Sequence, residues 1–136
     1  MIWRRKRLPA ELAGPFESFT AVLAEIEPAK RALTMVMPTT RLPGTPLPDA
    51  LFEFEAGIGR AQVLMPDWRV APVDTEWVAC DAGLTEGLER ARRLREEAPD
   101  LGGFEGLIWA VERLLDPLEP FEAAATRFRS LRVAGM

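Results

Sequence analysis

In four segments of this chain apolar side chains return at intervals of three and four residues, and that spacing limits the fold more than any other feature. The first segment carries Phe16, Phe19, Leu23, Ile26, Leu33 and Met37, and the second Leu51, Phe54, Ile58, Ala61 and Met65. The third carries Trp77, Cys80, Leu84, Leu88, Ala91 and Leu94. The fourth carries Phe104, Ile108, Val111, Leu115, Leu118, Phe121, Ala125, Phe128 and Leu131. Each set makes one stripe along a helix. No run has the period-two alternation of β-branched residues that a half-buried strand needs. None of the four helices can bury its stripe alone. The expected fold is therefore all-α, an antiparallel bundle of four main helices over about 15–37, 48–65, 74–97 and 103–132.

Proline and glycine punctuate the pattern. "LPAEL" offers one helical turn, with Pro9 at its first position and Glu11 near its positive end. "AGPFESF" then restarts a helix, with Gly14 as cap and Pro15 as first residue. Pro28 lacks an N–H and clashes with the carbonyl of Ala24, so a kink or break is expected there. Prolines 38, 43, 46 and 48 make the first connection a stiff, ordered loop. Pro66 ends the second helix. "LDPLEP" breaks or bends the last one, with Asp116 as cap and Pro117 as first residue of the restart.

At 136 residues the chain suits one domain: a basic arm over 1–8 and a helical body over 9–136. The hydrophobic fraction of 48% and charged fraction of 28% belong to a chain that folds rather than to a disordered one. With a single cysteine no intrachain disulfide can form, and nothing points to an oxidising compartment. No stretch approaches the length of a membrane span. The cations of the arm are followed by prolines and acids, not by the apolar run of a signal peptide. The expected location is cytoplasmic.

The sequence has no His, Tyr or Asn. Without histidine there is no Ser–His or Cys–His nucleophile pair and no carboxylate–histidine metal site of the bundle type. Glu25/Glu27 and Glu53/Glu55 lie two apart, so each pair points about 200° apart on a helix and cannot chelate from one face. The expectation is a protein without catalytic residues, cofactor or metal.

Three stretches remain as candidates. The arm "WRRKR", with Trp3, Arg4, Arg5, Lys6 and Arg7, could hold an anionic membrane, each cation adding about 1 kcal/mol near the bilayer, or a nucleic acid. It could equally be a solvated end, or fold back onto the domain. The net charge is −4 and the arm holds four cations, so the remainder carries −8, which disfavours nucleic acid as a partner. Trp68 and Arg69, in "PDWRV", either clamp a loop onto the bundle or anchor a partner, since Trp and Arg dominate binding energy at interfaces. Cys80, Gly83, Gly87 and Ala91 form a line of small residues on the third helix. That line permits either close helix packing or a pocket for a small apolar ligand.

The arginines of "LERARRLREE" pair as Glu86–Arg90 and Glu89–Arg93, and in reverse order as Arg92–Glu96 and Arg93–Glu97, which makes them a solvent face. "PGTP" over 43–46 matches the bare proline spacing of a groove ligand, or straps a loop across a helix pair. "GIGR" is not a phosphate loop, because it follows no strand and lacks the lysine. The function expected from this set is a non-enzymatic protein-interaction or adaptor module, including self-association. The alternatives are a small-apolar-ligand binder or a peripheral membrane protein acting through the arm.

Overall fold

The computed structural model describes residues 6–97 and 102–134. The fold is an all-α bundle. Helix α1 spans Ala10–Thr34, α2 Leu47–Leu64, α3 Asp74–Glu97, α4 Gly103–Leu115 and α5 Pro120–Ser130. A two-residue strand β1, Lys6–Arg7, pairs antiparallel with β2, Val133–Ala134, with Lys6 opposite Ala134 and Arg7 opposite Val133. Two residues in each strand are too few to show a period in the sequence.

Helix α1 begins at Ala10 and runs without interruption through Pro15 and Pro28. The expected restart at Gly14–Pro15 is corrected, and of the kink or break expected at Pro28 the break does not occur. Both prolines sit where the missing N–H costs least. Pro28 is exposed and Pro15 half-buried, so the carbonyls they leave unpaired lie on the side of the helix turned toward solvent. Burial of Leu12, Phe19, Val22, Ile26, Ala29 and Leu33 on the other side holds the helix together.

Helices α1 and α2 make the most extensive pair in the bundle. They cross closely because Gly57 is bare: a Cβ there would stand 2.8 Å from Cβ of Ala29. The loop between them is strapped down as the proline spacing suggests. The Thr45 N–H donates to the Met35 carbonyl at 2.8 Å, and Gly44 lies on the carbonyl of Val36.

After α2, Pro66 removes an N–H and the chain tightens into a 3₁₀ turn over Met65–Trp68, which swings the Trp68 indole inward. Helix α3 begins and ends where the stripe predicts. The fourth helical segment breaks at "LDPLEP", as expected, into two helices. They are separated by a 3₁₀ turn at Asp116–Leu118, and Asp116 makes no side-chain cap there.

The core is continuous through all five helices. Its centre is aromatic. Phe19 lies edge-on to Trp68 at 4.9 Å between ring centroids and 5.0 Å from Phe128, and Phe16 lies edge-on to Phe128 at 5.3 Å. Among the described residues no polar or charged side chain is buried. Of the final stripe, Val111, Leu118, Phe121 and Phe128 are buried and Leu115, Ala125 and Leu131 pack against the core, while Ala110, Leu114 and Ala124 are buried in addition. Phe104, read from the sequence as inward-facing, is exposed, and so is Trp109 next to Ile108 of the stripe.

Candidate functional site

Trp3, Arg4 and Arg5 lie outside the described residues. Lys6 and Arg7 form β1, with both side chains exposed. This end of the arm folds back onto the domain through its backbone and the C-terminal segment.

Trp68 is fully buried, so the reading of this residue as an exposed anchor is overturned. Its indole N–H points at the sulfur of Met65, 3.2 Å away, and its ring joins the aromatic centre. Arg69 stays at the surface, but its guanidinium stands 4.2 Å over the Trp77 ring and bonds Asp74 at 3.1 Å. Trp77 in turn donates its indole N–H to the Met65 carbonyl at 2.7 Å. The loop is clamped to the bundle by two tryptophans and one arginine.

The line of small residues on α3 faces the core: Cys80, Gly83, Gly87 and Ala91 are all buried. Gly83 lies against the carbonyl of Pro117, and a Cβ at Gly87 would meet the Phe54 ring at 3.5 Å. Cys80 and Ala91 are fully buried. Burial, with Glu76 adding to it, pushes the Cys80 thiol up to about 12, so the nucleophilic thiolate is suppressed near neutral pH.

The arginines of α3 form ion pairs, as expected, with Arg90 on Glu86 at 2.9 Å and Arg93 on Glu89 at 3.4 Å. Arg92 also turns to Glu89 rather than to Glu96. Its hydrogen bond, with the nearby guanidinium charges, lowers the Glu89 pKa. Arg95 reaches across to Glu55 on α2.

Two surface features emerge that stripe analysis missed. The first is a groove of about 360 Å³ where α1 ends and α2 begins, lined by Ala32, Met35, Asp49, Phe52 and Glu53 among others. Phe52 is 67% exposed and Met35 52%. The second is a concavity of about 260 Å³ between α3 and α4, lined by Arg90, Arg93, Leu94, Glu97, Trp109 and Arg113. Trp109 is 44% exposed, and the Arg113 guanidinium lies 5.0 Å over its ring. One sequence signal for the groove was present: Phe52 falls between Leu51 and Phe54, off the stripe, where a solvated helix face would carry a polar residue.

No group of three or more potential metal ligands occurs among the described residues, and no helix there is long and apolar enough to cross a membrane. No protein-family model, curated protein or solved structure matches the chain.

Proposed function

We propose that this protein is a non-enzymatic interaction module, a cytoplasmic adaptor, whose groove between α1 and α2 receives an apolar side chain of another protein chain. One observation carries the reading. Phe52 and Met35 stand open to solvent around a shared groove, while Phe19, Phe54, Phe121 and Phe128 are all buried. An exposed aromatic beside a concavity gives up the roughly 1.5–3 kcal/mol that burying such a side chain yields, and a partner recovers it. Asp49 and Glu53 at the rim supply the polar border that surrounds an apolar contact.

The test is a quantitative capture from host lysate with the wild type and Phe52→Asp in parallel. A protein enriched on the wild type and lost from the variant is the expected result. Identical captured sets would overturn the reading.

A further inference from the structure

We propose that the occupant of the α1–α2 groove is the Trp109 face of a second copy of this chain. This rests on the groove reading above and adds the partner. The two surfaces are complementary in charge. In the groove, Asp49 and Glu53 lie one turn apart on α2 beside Phe52. Neither carboxylate is paired with a cation among the described residues.

The concavity between α3 and α4 is lined by more arginines than carboxylates. Arg90, Arg93 and Arg113 surround Trp109 and Leu94, with Glu97 the one carboxylate among the lining residues. Arg90 is occupied by Glu86 and by the Arg113 carbonyl, which it bonds at 2.8 Å. Arg93 is held by Glu89. Arg113 instead lies over the indole, with no carboxylate on it among the described residues. Its guanidinium is pre-positioned by the ring, and its fork of donors suits a carboxylate.

Tryptophan and arginine are among the residue types enriched at the positions that dominate interface energy. The groove offers what Trp109 and Arg113 need: an apolar seat edged by two carboxylates. The two surfaces share no residue, so one copy can present its groove while the other presents its indole. Repeated in one direction the contact is heterologous and closes into a ring or extends, and exchanged reciprocally about a two-fold it closes as a dimer. The net charge of −4 sets the copies to repel at long range, so association must come from this local match.

Sedimentation velocity on the purified full chain, from micromolar to millimolar concentration, decides the matter. Four samples are compared: wild type, Phe52→Asp, Trp109→Ala, and an equimolar mixture of the two variants. Both substituted side chains are exposed, and thermal unfolding verifies that each variant folds. The expected result is concentration-dependent assembly of the wild type and monomers of each variant alone. The mixture should form 1:1 dimers and nothing larger, because one variant keeps its groove and the other keeps its indole. A monomeric wild type, assemblies that survive both substitutions, or a mixture that stays monomeric would each overturn the proposal. If the wild type is monomeric but Phe52→Asp still loses a captured protein from lysate, the groove has a different partner and only the second-copy assignment falls.

Discussion

Trp68 shows how one residue can join a loop to a core. The side chain is fully buried, and its ring meets Phe19, Phe128 and Trp77. Trp68→Ala should destabilise by about 3–5 kcal/mol, the range for truncating a large buried aromatic, read as a lower midpoint in urea. Two glycines of neighbouring helices should respond in opposite ways to alanine. Gly83 faces the Pro117 carbonyl, a backbone atom that cannot move aside, so Gly83→Ala should cost about 1–3 kcal/mol through overpacking. At Gly59 nothing lies within 4 Å of the added Cβ, and Gly59→Ala should gain about 0.5–1 kcal/mol from helix propensity and backbone entropy. Cys80 adds a pH signature. Its folded pKa of about 12 exceeds the ~8.5 of a free thiol. As pH rises past the lower value the unfolded chain releases this proton while the native chain keeps it, so stability is lost across that window. Comparison of the stability–pH slope with that of Cys80→Ala isolates the effect: the variant should lack this part of the alkaline decline.

Among the elements, α1 departs most from local expectation. Two prolines lie inside a 25-residue helix, each at a cost of about 3 kcal/mol in an interior position. The buried stripe from Leu12 to Leu33, packed on α2, outweighs that cost. Pro28→Ala restores the missing N–H at an exposed site and should raise the thermal midpoint, by up to about 3 kcal/mol in stability. A lowered midpoint would mean that the proline shapes the packing against α2. The opposite outcome is seen at residues 116–120. There Pro117 and Pro120 do divide the helical segment, because the turn they form is itself buried: Pro117 and Leu118 are in the core, and the Pro117 carbonyl fills the space above Gly83.

At the scale of the whole molecule, the described chain ends meet. The ladder of β1 and β2 closes the two ends of the bundle together, yet it has only two residues in each strand. Such a short pair adds little by itself, and Lys6 and Arg7 are exposed. Breaking the ladder by Arg7→Pro should cost less than about 1 kcal/mol, because Leu8, which packs on the core, is kept. A larger loss in calorimetry would assign the ladder a structural role.

Much of this protein was legible in its sequence because helix faces are encoded locally. The interval between apolar residues made it all-α, and the stripes of α2 and α3 named most of the buried faces of those helices, missing Leu47, Ala50 and Gly57 on α2. The pairing of Glu86 with Arg90 and of Glu89 with Arg93 followed from spacing alone. The absence of histidine likewise narrowed the chemistry without reference to the fold. Other features depend on what a residue meets from elsewhere in the chain. Whether a proline breaks a helix depends on the burial available to the rest of that helix, as Pro28 and Pro117 show by opposite outcomes. Whether Gly83 opens a pocket depends on the carbonyl that fills it, which lies 34 positions away in the sequence. The fate of Trp68, buried, and of Phe52 and Trp109, exposed, was likewise decided by tertiary packing. A stripe states which face of a helix is apolar, but only the neighbouring helices determine how much of that face they cover and which apolar residues are left for a partner.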